Sequence, residues 1–146
     1  MLLAQEVTMK KVINIFLGII LGAFLVSCST IVVQDVWESA VYTESQELGT
    51  GEKTITVYVI AEEKTVEFTV HTDKETLGEA LIEHNLIAGE NSSYGLYVKE
   101  VNGIYADYNT TKSYWGINKN GESLMTGVDA EKITDGDEYE FVYTKN

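Results

Sequence analysis

The sequence predicts an α+β domain in which one helix packs across a mixed β-sheet. Two stretches, TITVYVI and TVEFTVH, alternate apolar and polar residues as half-buried strands do. The stretch TDKETLGEALIEHN changes to a helical period, and strand-like patterns return after it. The chain contains no proline, which suits a domain built mostly from hydrogen-bonded strands. Strands, one helix and further strands are the order expected of a sheet covered by a helix.

The first two strands should form a hairpin with one buried face. The stretch AEEK separates the two strands and is predicted to form the turn between them. The side chains that should face the core are Ile55, Val57, Val59, Val66, Phe68 and Val70.

The helix should begin at a capping box and end near Asn85. Thr72 and Glu75 have the S/T-x-x-E spacing in which each side chain satisfies a free amide at the helix start. The apolar stripe consists of Leu77, Ala80 and Leu81.

Three turns punctuate the second half, at residues 102–103, 119–121 and 135–137. Asn-Gly pairs mark the first two turns, and Asp-Gly-Asp marks the third. The last strand should place one set of aromatic rings on one face: Tyr139, Phe141 and Tyr143. We therefore predict a β-grasp-like domain over residues 53–146.

The N-terminal region has the three parts of a secretory signal. Lys10 and Lys11 precede an apolar run over residues 12–26, and these 15 residues are fewer than the roughly 20 that a membrane-spanning helix needs. The run ends in LVSC, which resembles a bacterial lipobox, whose cysteine (here Cys28) is diacylated after cleavage of the signal. An uncleaved membrane anchor is the alternative. Because Glu6 precedes the lysines, Met9 as well as Met1 is a candidate start.

This interpretation divides the chain into three parts. Residues 1–27 are a lipoprotein signal peptide, residues 28–52 are the lipidated cysteine with a tether, and residues 53–146 are the domain. Trp37 in the tether should rest on the domain or on the bilayer interface. We expect the protein on the extracytoplasmic face of the cell membrane of a Gram-positive bacterium, held there by its lipid.

Charge and motif content exclude several functions. Without the signal, the chain carries 8 basic and 22 acidic residues, and such a surface repels nucleic acid. Cys28 is the only cysteine, so no disulfide or thiol nucleophile is expected. The chain contains no arginine, no G-x-S-x-G elbow, no H-E-x-x-H helix and no Gly-rich phosphate loop. We predict that it is not an enzyme.

Four segments resemble a family of bacterial surface proteins when they are taken in order. HTDKETLGEAL, YGLYVKEVNGIYADY, YWGINKNGESLMTGVD and DGDEYEFVYT are similar to the transcobalamin-like C-terminal domain. That domain is related to the small β-domain of cobalamin carriers such as intrinsic factor. The resemblance covers roughly residues 52–145 and implies a β-grasp-like fold.

The resemblance also implies that the chain binds cobalamin or a related corrinoid. Carriers hold this ligand between the β-domain and a large helical domain, which this chain lacks. We therefore expect weak binding alone, or a partner such as a corrinoid transporter component that supplies the second wall. The residues that the family motif assigns to the ligand are Asn102, Gly103, Tyr105, Tyr114, Trp115, Gly116 and Asn118.

The physical reading of these residues is divided. Aromatic faces and close backbone approach suit a flat macrocycle, but Asn-Gly pairs also form turns without any ligand. Tyr114 and Trp115 are adjacent, so in a strand they point to opposite faces. We predict Trp115 in the core and Tyr114 on the surface.

Other binding functions remain alternatives. His71 and His84 lie on different elements, and we expect each to be a surface or boundary histidine. Asp135 and Asp137 are candidate calcium ligands, but their spacing does not match an EF-hand loop. We therefore predict no metal site. A protein-interaction or adhesion module, or a divalent-metal or glycan-binding surface domain, therefore stands beside corrinoid capture.

Overall fold

The structure, a computed structural model, describes residues 34–146, which form one compact unit rich in β-strand. The helical elements are a 3₁₀ helix (Val36–Ser39), α1 (Leu77–Ile82) and α2 (Tyr108–Thr111). The strands are β1 (Gln46–Gly49), β2 (Lys53–Ala61), β3 (Lys64–Thr72), β4 (Ile87–Ser92), β5 (Gly95–Val101), β6 (Ile104–Tyr105), β7 (Ser113–Lys119), β8 (Glu122–Ser123) and β9 (Glu138–Lys145). The predicted signal peptide and Cys28 lie outside the described residues. Among the described residues, no helix is long and apolar enough to cross a membrane.

The main sheet has six strands in the order β1-β3-β2-β9-β7-β8. It is mixed, as predicted: β1 runs parallel to β3 and β2 runs parallel to β9, whereas the other pairs are antiparallel. A second sheet of three antiparallel strands has the order β4-β5-β6.

The core lies on one side of the six-stranded sheet. All six residues predicted to be buried in β2 and β3 are at most 2% exposed. The predicted helical stripe of Leu77, Ala80 and Leu81 is fully buried in the same core. The alternation in β2 and β3 and the apolar stripe of α1 therefore identify the buried faces correctly.

The predicted capping box is wrong by four residues. Thr72 remains paired with Lys53 at the end of β3, and its hydroxyl accepts a hydrogen bond from the Lys74 amide at 3.0 Å. Thr76 is the N-cap instead: it accepts from the Glu79 amide at 3.3 Å, and Glu79 accepts from the Thr76 amide at 3.3 Å. The spacing S/T-x-x-E occurs twice here, and strand pairing removes the first copy from the helix.

The predicted tether over residues 28–52 also differs from the structure, because its described part is folded. Trp37 in the 3₁₀ helix is 7% exposed, and its indole nitrogen donates to the Ala61 carbonyl at 3.1 Å. The Lys64 ammonium lies 4.7 Å from the centre of the indole ring. Farther along, β1 adds an edge strand to the sheet. Trp37 therefore rests on the domain, and the folded unit begins by residue 34.

Candidate functional site

The residues that the sequence assigns to a ligand fall on two sides of β7. Alternation along β7 turns Trp115 towards the core and turns Tyr114, Gly116 and Asn118 to the opposite side. We call that opposite side of the six-stranded sheet the open face. Its side chains come from β7 (Tyr114, Gly116, Asn118), β9 (Glu138, Glu140, Val142, Thr144), β2 (Thr54, Thr56, Tyr58, Ile60), β3 (Thr65, Glu67, Thr69, His71) and β1 (Glu47). Asn102, Gly103 and Tyr105 lie on the core side, in and after the β5–β6 turn.

The divided prediction for the aromatic pair is confirmed. Trp115 is 7% exposed, whereas Tyr114 is 39% exposed. The Trp115 indole nitrogen donates to the Ile104 carbonyl at 3.2 Å, and its ring meets the Tyr143 ring edge-on at a centroid distance of 5.5 Å. Trp115 therefore connects β6 to β9 from the core side of the sheet and supports Ile104 and Tyr143.

The Asn102–Gly103 turn is covered by the N-terminal segment, residues 34–42. The Asn102 side chain is fully buried, accepts from the Tyr42 amide at 2.9 Å and donates to the Tyr42 carbonyl at 2.8 Å. Gly103 has a φ of 80°, and an added Cβ would collide with the Ser39 carbonyl oxygen. In this conformation neither residue is free to contact a ligand, and both position the segment instead.

A cleft of about 570 Å³ opens between this segment and the strands beside it. Residues 34–39 line one side of the cleft, and Ile104, Tyr105, Thr111, Tyr143 and Lys145 line the other. Tyr105, which is 45% exposed, is the one predicted ligand residue on its wall, and Trp115 supports that wall through Ile104 and Tyr143. The volume lies within the range usual for small-molecule sites.

An ion pair fixes the aromatic wall of the cleft. The Tyr105 hydroxyl donates to Asp107 Oδ2 at 3.0 Å, and Lys99 Nζ donates to the same oxygen at 3.0 Å. The hydrogen bond from Lys99, helped by the Asn109 amide at 2.9 Å, holds the pKa of Asp107 below its usual value. Glu90 and then Asp107 raise the pKa of Lys99 through their hydrogen bonds. Both groups stay charged, so the Tyr105 ring has a fixed partner for its hydroxyl.

The other three predicted ligand residues share the open face and do not line the cleft. The Asn118 amide donates to Glu140 at 3.0 Å across the β7–β9 pair. Gly116 has no side chain, so the surface is recessed here. A Cβ added at Gly116 would meet nothing closer than the Val142 carbonyl oxygen at 3.7 Å. Tyr114, Gly116 and Asn118 are therefore separated from Tyr105 by the sheet itself.

The acidic turn after residue 133 has a structural role. Asp135 accepts from the Thr54 amide at 2.7 Å, and Asp137 accepts from the Thr134 amide at 2.8 Å. Lys119 Nζ lies 3.1 Å from Asp137 and supplies the positive charge in place of a cation. Within residues 34–146, no group of three or more His, Cys, Asp and Glu side chains could hold a metal ion.

The two histidines lie apart from the cleft, His71 in β3 and His84 in the turn after α1. His71 bonds through its ring nitrogens to Thr54 at 2.9 Å and to Glu47 at 2.8 Å. His84 packs against Gly49, and its buried Nε2 atom has no partner among the described residues. Neither ring lines the cleft.

Sequence reasoning missed the part of the cleft that residues 34–39 form, because these residues were assigned to the tether. A local signal exists: Asp35 is an N-cap, and its side chain accepts from the Trp37 amide at 2.9 Å. Asp107 caps α2 in the same way. Tyr143 was correctly placed on one face with Tyr139 and Phe141, but only the structure shows that it lines the cleft.

These features define a small, mostly β domain with a cleft beside the Asn102–Gly103 turn, and comparisons identify its family. A structure from Ruminococcus gnavus, described as a "putative metal binding protein", is 36% identical and superposes with a TM-score of 0.61 over 65% of this chain and 99% of that chain. Residues 74–145 match a domain of unknown function, DUF4430. The chain belongs to the family of this Ruminococcus protein.

A second structure shares the fold at lower identity. Haptocorrin, solved in complex with Cbi, is 19% identical and superposes with a TM-score of 0.55 over 67% of this chain. The match spans only 26% of the haptocorrin chain, so the matched part of this protein corresponds to about a quarter of that chain. No match is found among curated proteins.

Proposed function

We propose that this protein is a membrane-anchored, extracytoplasmic lipoprotein that captures a corrinoid in the cleft beside Tyr105, without catalysing a reaction. The observation that carries the proposal is the cleft itself: about 570 Å³, walled by Tyr105 and Tyr143 and supported by Trp115. The family resemblance implies that Tyr105 and Trp115 serve a corrinoid. Haptocorrin, which shares the fold, holds the corrinoid Cbi in its own structure.

The cleft has the chemistry that a corrinoid needs. Its two tyrosine rings offer apolar surface for a macrocycle, and their hydroxyls offer hydrogen bonds to its amide side chains. Asp35, Glu38 and Lys145 add charged groups at the rim. The ring of Tyr105 is held by Asp107 before any ligand arrives, which lowers the entropy lost on binding.

The fold supports a half-site and not a full enclosure. We propose a β-grasp-like arrangement in which α1 packs across the mixed sheet. Small-molecule sites usually bury most of their ligand. A membrane component of a corrinoid transporter is therefore the partner that we propose for the second wall, with lipidated Cys28 holding the domain beside it.

Calorimetric titration with cobinamide tests the proposal. The full-length chain, held in nanodiscs of zwitterionic lipid, is titrated alongside three variants: Tyr105→Ala, Tyr105→Phe and Tyr114→Ala. Tyr105→Ala removes an aromatic wall and should weaken binding about tenfold. Tyr105→Phe keeps the ring, and Tyr114→Ala changes the open face, so both should bind within about threefold of the natural chain.

Two results would contradict the proposal. Absence of heat with the natural chain at millimolar cobinamide would exclude capture by this domain alone. A loss in Tyr114→Ala with none in Tyr105→Ala would move the ligand to the open face. Circular dichroism of each variant shows whether it is folded, so a loss of binding is not confused with unfolding.

A further inference from the structure

The open face carries carboxylates and no lysine. The described part of the chain has eight lysines, and none of them occurs among the open-face positions of the strands. In the strands of the main sheet, lysines stand at the alternate positions or at strand ends, as Lys53, Lys64, Lys119 and Lys145 show. The carboxylates that stand on the open face are Glu47, Glu67, Glu138 and Glu140.

Apolar groups form one row across the same face. The strand register places Ile60 beside Val142, and Val142 beside Gly116. The next row across the sheet places Glu67, Tyr58, Glu140 and Asn118 side by side. Because neighbouring strands lie about 4.8 Å apart, this narrow apolar row lies directly beside a row that carries negative charge.

The pKa of Tyr58, the tyrosine in this row, is sensitive to the surrounding negative charge. Burial is the first cause that raises the pKa of Tyr58 above its usual value, and the charges of Glu138, Glu67 and Glu140 raise it further. Three carboxylates therefore act on one ring at the middle of the face. A neighbouring cation would relieve this repulsion.

We propose that the open face is a docking surface for a protein partner that presents a small apolar group next to lysine or arginine side chains. Glu67, Glu138 and Glu140 would pair with the partner's cations, and Ile60, Val142 and the low surface at Gly116 would receive its apolar side chains. An anionic lipid surface or an acidic protein is repelled by the same charges. This surface lies across the sheet from the cleft, so the inference stands independently of corrinoid capture.

Two short peptides serve as probes of this surface. One places Val-Ile between two pairs of lysines, and the other places Ser-Ser there, so the charge is equal and only the apolar centre differs. Each carries a fluorophore, and its anisotropy is followed as full-length chain in zwitterionic nanodiscs is added. Empty nanodiscs supply the background for each peptide.

Charge reversal on and off the face is the matched comparison. Glu67→Lys with Glu140→Lys should weaken binding of the Val-Ile peptide about tenfold at low salt. Since Glu140 also accepts from Asn118, Glu67→Lys with Glu138→Lys reverses two charges of the same face and leaves that bond intact. Glu63→Lys with Glu83→Lys changes the net charge equally at exposed positions off the face and should stay within about twofold.

The expected result is saturable binding of the Val-Ile peptide, weaker binding of the Ser-Ser peptide, and losses confined to the face variants. An equal loss of peptide affinity in the off-face variant would show that only the net charge of the protein matters, and this would overturn the proposal. Equal binding of the two peptides, or no binding of the Val-Ile peptide above background, would overturn it as well.

Discussion

Replacing Asn102 with alanine tests whether the N-terminal segment is part of the folded domain. The Asn102 side chain makes two hydrogen bonds to the backbone of Tyr42, at 2.9 and 2.8 Å, and these bonds span 60 residues of sequence. Asn102→Ala leaves the amide and the carbonyl of Tyr42 without these partners. It also places alanine at a φ of 51°, in the left-handed region that asparagine tolerates better.

The structure gives a magnitude for this change. Each partly buried group left unpaired costs about 1–2 kcal/mol, and the left-handed backbone adds about 1 kcal/mol. We expect Asn102→Ala to lower the free energy of unfolding by about 3–5 kcal/mol. Asn85→Ala is the matched control, because Asn85 has a φ of 54° and no side-chain hydrogen bond among the described residues. It should lower the same quantity by only about 1 kcal/mol.

Urea denaturation of residues 29–146, followed by circular dichroism, measures both values. The difference between the two variants isolates the two side-chain hydrogen bonds to Tyr42. Equal losses in Asn102→Ala and Asn85→Ala, within about 0.5 kcal/mol, would refute the docking of the segment on the turn.

Three further predictions concern the segment, the cleft wall and the helix start. Trp37→Ala should lower the free energy of unfolding by about 3–5 kcal/mol in the same assay, because a buried indole and its bond to Ala61 are lost; a change below about 1 kcal/mol would contradict the structure. The pKa of Asp107 is depressed in the folded state, so its stabilisation is present above the unfolded pKa of about 3.9 and is lost as the pH falls through the lower folded value. The stability of Asp107→Asn should therefore fall less steeply below about pH 4 than that of the natural chain, and parallel pH profiles would contradict this. Thr76→Ala should lower the free energy of unfolding by about 1 kcal/mol, since the Thr76 side chain caps α1; an unchanged value in urea denaturation would contradict this cap.

The period of the strands and of the helix is readable from the sequence, because each buried face is a local pattern. Val57 and Phe68 alternate with polar neighbours, and Leu77, Ala80 and Leu81 repeat at helical spacing. The turns at Asn102 and Asn120 are equally local, since both asparagines adopt positive φ before a glycine.

The position of the N-terminal segment is not local and was not predicted. Trp37 contacts Ala61, and the backbone of Tyr42 is bonded to the Asn102 side chain, and neither contact produces a periodic pattern in the sequence. The cleft depends on the same contacts. Tyr105 and Trp115 could therefore be named from the sequence, whereas the opposite wall, formed within residues 34–39, could not. The separation of Tyr114 from Tyr105 likewise required the register of β7 against β9.

Hydrogen exchange of the full-length chain, with and without cobinamide, tests the central claim most directly. The account predicts slower exchange of amides around the cleft, in residues 34–39, 104–105 and 143–145, and no change at the open-face positions of β2. Protection centred on the open face, or no protection at saturating cobinamide, would contradict corrinoid capture in the cleft.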